Sequence, residues 1–209
     1  MHNKKLQYIK ELIKSNNLIY KVYKNLRYPK EMKISNVFQK VNRIIKQNKF
    51  NQITFDGDNI YCKVYDIEFL YLPDKFGGGL LGGMQNQFEV NEVQFVKNNI
   101  KDGDVFIDIG SNFGFYSVFV GKNFPNCIIH SFEPLPETFN IFKKNIKHNR
   151  LEGRSITINN CGLADKKGVL YFTNNKYAGN HIVQYPEISD SVTQVNVISL
   201  DDSYNFIFY

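Results

Sequence analysis

Asp108, Gly110 and Gly114 form the segment of this chain whose residue types and spacing are most able to do chemistry. An apolar run from Val105 leads into Asp108, and another starts after Gly114, which predicts a buried strand, a tight turn and the start of a helix. Glycine tolerates a positive φ there and lets a ligand approach the backbone. The helix would present unpaired N–H groups and a partial positive charge. The segment therefore predicts a site for a nucleotide-like ligand with a polar or anionic end; the alternative is a tight turn without a ligand.

The spacing within this loop argues against a dinucleotide ligand. A dinucleotide loop needs Gly-x-Gly-x-x-Gly, whereas the second residue after Gly110 is Asn112. An acidic residue with more widely spaced glycines suits a ligand that lacks a pyrophosphate. S-adenosylmethionine is such a ligand, because its amino-acid end carries an ammonium and a carboxylate. We expect Asp108 to bind that ammonium, directly or through water.

Glu133 supplies a second acidic group at a matching distance along the chain. Residues Cys127 to Phe132 predict a second strand, and Glu133 follows Asp108 by 25 residues, which leaves room for one helix over about 115–124. In nucleotide-binding βαβ units, an acidic residue at the end of the second strand takes the ribose hydroxyls. Two hydroxyl donors match the two oxygens of one carboxylate. The alternative is a solvated glutamate at a strand end.

The remaining periodicity predicts an α/β domain around these residues. Helices are expected over 89–100 and 138–149, a third strand over 155–159, and an antiparallel insertion from 169–172 and 194–198. Residues 160–163 would lie at the carboxyl end of the third strand, where a nucleotide-binding α/β fold usually holds an adenine. His181 is a candidate base, with an exposed loop histidine as the alternative.

The chain resembles the FkbM family of S-adenosylmethionine-dependent methyltransferases. The resemblance runs from about Phe88 to Asp202 and rests on Asp-x-Gly-x-Asn-x-Gly, Phe132-Glu133-Pro134, Asp165-Lys166-Lys167-Gly168 and Ser199-Leu200-Asp201-Asp202. It implies a Rossmann-like, class I methyltransferase fold and methyl transfer to an oxygen, often of a sugar or another small metabolite. The cofactor-binding residues that carry over are Asp108, Gly110, Asn112, Gly114 and Glu133.

The chain departs from the family near its end. Family members continue past the Leu-Asp-Asp segment into a strand ending in Asp-x-Glu-Gly, a motif that this chain, which stops at Tyr209, does not contain. We therefore expect an incomplete fold with the first half of the sheet, and no catalytic residue carries over. The alternative function is a truncated, inactive remnant or split-protein piece that self-associates or pairs with a missing C-terminal piece. An RNA methyltransferase is a further alternative.

Composition limits the remaining classes. Residues 1–50 hold 13 lysines or arginines against Glu11 and Glu31, a charge of +11, whereas the other 159 residues carry −5. These basic residues are dispersed and form no nucleic-acid motif, so solvation is the simpler interpretation. The three cysteines lack metal-ligand spacing and fit reduced thiols of a cytoplasmic protein. No apolar run approaches the ~18 residues of a membrane span.

The sequence predicts three parts. Residues 1–50 form a basic helical extension, residues 51–87 a hairpin and glycine-rich linker, and residues 88–209 a partial S-adenosylmethionine-binding domain. The hairpin is expected from strands over 53–55 and 60–65. Five glycines within residues 77–83 predict either a lid over the cofactor or a plain linker.

Overall fold

A computed structural model describes residues 53–56, 59–71, 88–173, 181–183 and 192–201 of the chain. The chain divides into two compact units, Met1–Val93 and Gln94–Tyr209. The predicted N-terminal helices, the glycine-rich segment at 77–83 and residues 202–209 lie outside the described residues.

The first unit contains a three-stranded antiparallel sheet in the order β1-β2-β3. Tyr65 and Asp66 connect β2 to β3 with positive φ angles of 50° and 65°, as expected for a two-residue hairpin turn that follows the strand twist. The predicted hairpin strands are confirmed, although the turn residues 57–58 lie outside the described part. The strands are β1 (Ile53–Asp56), β2 (Asn59–Val64) and β3 (Ile67–Leu70).

Helix α1 (Val90–Asn99) confirms the helix predicted before the parallel strands. A βαβαβ arrangement then builds a three-stranded parallel sheet in the order β4-β5-β6. The predicted strands and helices are confirmed, with boundaries that differ by at most two residues. The elements are β4 (Val105–Ile109), α2 (Phe115–Asn123), β5 (Ile128–Phe132), α3 (Pro136–His148) and β6 (Ile156–Asn159).

The core of this region lies between the parallel sheet and helices α2 and α3. Phe119 and Phe142 are fully buried, and so is Ile129 of β5. A Cβ on Gly121 of α2 would lie 2.9 Å from Ile156 Cδ1 and 3.4 Å from Ile129 Cδ1. Helix α2 therefore approaches the sheet closely because position 121 has no side chain.

Strand β4 is less buried than its apolar sequence predicts. Val105 is 37% exposed and Ile109 62% exposed, and the neighbouring Ile128 of β5 is 41% exposed. Side chains alternate between the two faces of a strand, so Val105 and Ile109 lie on the face opposite Asp108. Among the described residues, β4 pairs with β5 alone. The prediction of a buried strand was wrong for Val105 and Ile109, because a run of apolar residues does not specify how many faces its neighbours cover.

A second, four-stranded sheet follows in the order β7-β10-β8-β9. The predicted antiparallel pairing is confirmed between β8 and β10, while β10 runs parallel to β7. A Cβ on Gly162 would lie 3.6 Å from Pro134 Cβ, so this sheet starts beside the end of β5. The strands are β7 (Gly162–Ala164), β8 (Gly168–Thr173), β9 (Ile182–Val183) and β10 (Val192–Ser199).

In the described part of the chain, no helix is long and apolar enough to cross a membrane.

His130 of β5 makes the stability of this region sensitive to acid. Its ring is buried, and Nε2 has no hydrogen-bond partner among the described residues. Its strand neighbours in register are Ile107 and Thr157, which supply no charge. Burial lowers the pKa of His130 below its ordinary 6.5.

We expect the free energy of unfolding to fall as pH drops below about 6.5, because His130 then binds a proton in the unfolded chain but stays neutral in the folded protein. The contribution of His130 to the free energy of unfolding is therefore complete above about pH 6.5. It is lost as pH falls towards the lower pKa of His130 in the folded protein, by up to about 1.4 kcal/mol per pH unit. Urea unfolding between about pH 5 and about pH 7.5 should show a free energy of unfolding that depends less on pH in His130→Phe than in the parent protein. The exposed His181→Phe is the control, and equal profiles for all three proteins would contradict this assignment.

Candidate functional site

The connection between β4 and α2 forms a loop of residues 110–114 with an unusual backbone. Gly110, Asn112 and Gly114 have φ angles of 74°, 53° and 85°. This region is readily available to glycine and is tolerated by asparagine better than by most other residues. The predicted glycine positions therefore carry left-handed backbone, and the asparagine between them does too.

The loop is fixed by hydrogen bonds from two sides. The N–H groups of Gly110 and Ser111 donate to the carbonyl of Phe132 at 2.9 and 3.0 Å, which ties the loop to the end of β5. Asn145 of α3, fully buried, donates its side-chain N–H to the carbonyl of Phe113 at 2.8 Å. The loop is thus held in one conformation before any ligand is considered.

The two predicted glycines serve different purposes. A Cβ on Gly114 would lie 2.0 Å from Cδ2 of Phe142, so this glycine permits α2 to pack against α3. A Cβ on Gly110 would have no atom within 4 Å beyond its chain neighbours. The structure therefore places open space beside Gly110, where a ligand was expected, and a packed aromatic ring beside Gly114.

The carboxylate of Glu133 lies against this loop. Its Oε2 accepts a hydrogen bond from Asn112 N at 2.9 Å, and its Oε1 accepts one from Leu135 N at 2.9 Å. Glu133 is buried rather than solvated. Burial raises its pKa, these hydrogen bonds lower it, and the negative charge of Asp108 raises it further. The structure thus brings Asn112 and Glu133 into direct contact.

Asp108 lies at the same edge of the sheet and is also buried. Its Oδ2 accepts hydrogen bonds from the N–H of Ser117, at 3.1 Å, and from the Ser117 hydroxyl. Burial raises the pKa of Asp108, and the bonds from Ser117 partly oppose that rise. One of the first-turn N–H groups that were expected to face a ligand is therefore capped by Asp108 instead. Among the described residues, every hydrogen bond to this carboxylate reaches Oδ2, and Oδ1 has no protein donor.

Three polar residues of this region were missed in the prediction of specific site residues. Asn160 donates its side-chain N–H to the carbonyls of Glu133, at 2.9 Å, and Pro134, at 3.1 Å, which holds the turn after β5. Ser117 and Ser131 are fully buried and their hydroxyls lie 2.7 Å apart. A signal existed, because each serine interrupts an apolar run, and buried hydroxyls need hydrogen-bond partners.

The candidate base, His181, directly precedes β9 of the four-stranded sheet. Its N–H donates to Thr173 Oγ1 at 3.1 Å, and its carbonyl accepts from Thr173 N at 3.0 Å. The side chain is exposed. The described structure thus ties His181 to the insertion, and the exposed-loop interpretation fits it.

Comparison with characterised proteins connects this arrangement to a class of enzyme. The chain is 32% identical over 74 residues to the 31-O-demethyl-FK506 methyltransferase FkbM of Streptomyces tacrolimicus. This part of the chain is similar to FkbM-type methyltransferases. It is also 29% identical over 72 residues to Methyltransferase 1 of Beauveria bassiana and 30% identical over 80 residues to Methyltransferase sdnD of Sordaria araneosa. The matches cover 34–36% of this chain and 27–30% of these relatives.

No protein-family model matches the chain. Among solved structures, it is similar to an S-adenosylmethionine-dependent methyltransferase from Agrobacterium tumefaciens, with 12% identity, a TM-score of 0.39, and coverage of 52% of this chain and 34% of that one. It is also similar to a coclaurine N-methyltransferase bound to N-methylheliamine and SAH, with 14% identity, a TM-score of 0.32, and coverage of 35% and 22%. The scores are low, so the incomplete Rossmann-like arrangement rests on the strand order and direction of this chain.

The difference between the two glycines predicts unequal effects of the same substitution. Gly114→Ala should destabilise the protein by about 3 kcal/mol, because it combines left-handed strain with a clash against Phe142. Gly110→Ala should cost only about 1–2 kcal/mol, since strain alone opposes it. Urea unfolding measures both values, and equal losses would contradict the assigned roles.

Proposed function

We propose that this chain binds S-adenosylmethionine and takes part in methyl transfer to an oxygen of a small acceptor, such as a sugar. The observation that carries the proposal is the hydrogen bond from Asn112 N to the Glu133 carboxylate. It joins the glycine loop after β4 to the acidic residue after β5. These are the two parts that an adenosine ligand without a pyrophosphate needs.

Glu133 is suited to hold the ribose. Each of its oxygens accepts one backbone N–H, whereas an ionised carboxylate offers about four lone-pair positions. Acceptor capacity therefore remains for two adjacent hydroxyls. The backbone bonds also fix the orientation of the carboxylate before the ligand arrives.

Asp108 and the space beside Gly110 are suited to the amino-acid end of the ligand. Asp108 Oδ1 is the carboxylate oxygen without a protein donor in the described structure, and it can accept from an ammonium. Asp108 raises the pKa of Glu133 through its negative charge, so a cation between them would stabilise both ionised carboxylates. Asn112 replaces the glycine that a pyrophosphate would require, which favours this ligand over a dinucleotide.

When bound, the cofactor supplies a methyl group on a sulfonium, which passes to a hydroxyl oxygen as the hydroxyl proton leaves and S-adenosylhomocysteine remains. The residues named above bind and orient the donor, which is the part of catalysis that lowers the entropic barrier. The similar FkbM enzyme carries a name that specifies 31-O-demethyl-FK506 as the molecule it methylates. That name supports an oxygen acceptor here. All three cysteines are free thiols, which supports a cytoplasmic location.

Binding of S-adenosylhomocysteine tests the proposal. We expect the purified protein to bind it in isothermal titration calorimetry, and Glu133→Gln to weaken binding about 10- to 100-fold. The glutamine loses the charge and one acceptor oxygen, and hydrogen bonds to charged groups contribute about 1.5–3 kcal/mol. The exposed Glu152→Gln is the matched control and should bind like the parent protein. Folded parent protein that does not bind, or equal affinities for Glu133→Gln and Glu152→Gln, would contradict the proposal.

A second candidate function is that of a cofactor-binding piece that pairs with another polypeptide through β4. The exposed apolar residues Val105, Ile109 and Ile128 favour it, because parallel sheets are ordinarily covered on both faces. Within the described ranges β4 pairs with β5 alone, and an open strand edge also invites pairing.

This second candidate predicts self-association of the isolated chain. Light scattering after size exclusion should show species larger than a monomer, and Ile109→Lys should shift them towards the monomer because it places a charge on the exposed face of β4. Val169→Lys, at an exposed apolar position of β8, is the matched control. A monodisperse monomer that melts cooperatively would argue against pairing.

A further inference from the structure

Three buried side chains form a hydrogen-bonded chain behind the glycine loop. Ser131 of β5 and Ser117 of α2 are fully buried, and Asp108 of β4 is 8% exposed. The two hydroxyls lie 2.7 Å apart, and the Ser117 hydroxyl contacts Asp108 Oδ2. The Ser131–Ser117–Asp108 chain therefore links two neighbouring strands to the helix that covers them.

The donor and the acceptor in each of these hydrogen bonds follow from the chemistry of the carboxylate. An ionised carboxylate only accepts hydrogen bonds, so the Ser117 hydroxyl donates to Asp108 and accepts from the Ser131 hydroxyl. Ser117 also donates its backbone N–H to the same Oδ2 at 3.1 Å. Two donors from one residue hold one oxygen, and the rotation of the Asp108 carboxylate is thereby restricted.

Hydrogen bonds around the segment from Asp108 to Ser117 hold the loop as well as the carboxylate. Ser117 lies in the first turn of α2, three positions after Gly114, and the Asp108 carbonyl accepts the Ser111 hydroxyl at 2.9 Å. The segment between Asp108 and Ser117 is thus closed by hydrogen bonds at both the backbone and the side chain. Holding Oδ2 at the helix leaves Oδ1 as the oxygen available to a ligand.

We propose that Ser117 is a positioning residue that holds Asp108 Oδ2 against helix α2 so that Oδ1 accepts the ammonium of the bound ligand. This inference rests on the proposed function, since it concerns the amino-acid end of the same ligand. Ser131 supports the role by orienting the Ser117 hydroxyl. Ser117 acts through Asp108 and does not itself touch the ligand.

Two ligands separate this role from a general structural one. S-adenosylhomocysteine carries the ammonium, whereas 5′-methylthioadenosine shares the adenosine part and lacks the amino-acid end. We expect Ser117→Ala to weaken S-adenosylhomocysteine binding about tenfold or more, and 5′-methylthioadenosine binding by less than about twofold. Equal losses for both ligands, or no loss for either, would overturn the inference. Ser155→Ala, at an exposed serine before β6, is the matched control and should change neither affinity.

Asp108→Asn provides a second variant that does not depend on Ser117→Ala folding. Its amide oxygen can still accept the Ser117 N–H, but an N–H₂ donor then takes the place of Oδ1. We expect the same selective loss of S-adenosylhomocysteine binding, with 5′-methylthioadenosine binding retained. Retained binding of both ligands would overturn the inference.

A ligand-free measurement keeps the inference distinct from the proposed function. The Asp108 pKa, followed by carbon NMR of the carboxyl group, should rise in Ser117→Ala because the side-chain hydrogen bond that lowers it is lost, while the backbone N–H of residue 117 remains. An unchanged pKa would overturn the role of Ser117 whether or not a ligand binds. If the parent protein binds neither ligand, the proposed function fails and the ammonium role of Oδ1 fails with it, while a raised pKa would still support the hold of Ser117 on Asp108.

Discussion

The contact between Asp108 and the first turn of α2 is the interaction on which the rest of this region depends. A helix start needs acceptors for its free N–H groups, and Gly114 at the helix start has no side chain to supply one. Asp108 supplies the acceptor from the preceding strand, through Oδ2 and Ser117 N. Because Asp108 lies one residue before the end of β4, this one contact sets how the strand, the loop and the helix meet.

The parallel register then brings the second carboxylate to the same place. Asp108 pairs in register with Ser131, and Ile109 pairs with Phe132, so Glu133 follows at the same edge of the sheet. The loop lies between the two acidic residues, and its Asn112 N–H bonds directly to Glu133. Two buried carboxylates close enough to raise a pKa are costly to ionise, and a cationic ligand would offset that cost.

The sequence predicted the βαβαβ order and both acidic positions because each depends on local periodicity or on spacing along the chain. It did not identify Ser117 or Ser131, since single hydroxyls in apolar runs have no period and acquire partners only when α2 packs on the sheet. Strands β7 and β9, of three and two residues, are too short for an alternating pattern to mark them. The exposure of Ile109 was missed for another reason, because it depends on which neighbours cover the strand.

The sequence offered a ligand site and a ligand-free tight turn as alternatives for the segment after β4, and the geometry makes them compatible. Asp108 serves the turn with Oδ2, which leaves Oδ1 for the proposed ligand. Gly114 likewise serves the packing against Phe142, whereas Gly110 borders open space. Removing the whole Asp108 carboxylate would therefore mix stability with recognition, because both oxygens are lost together. Glu133 and Ser117 separate the two, since one is proposed to hold the ribose and the other acts on a single carboxylate oxygen.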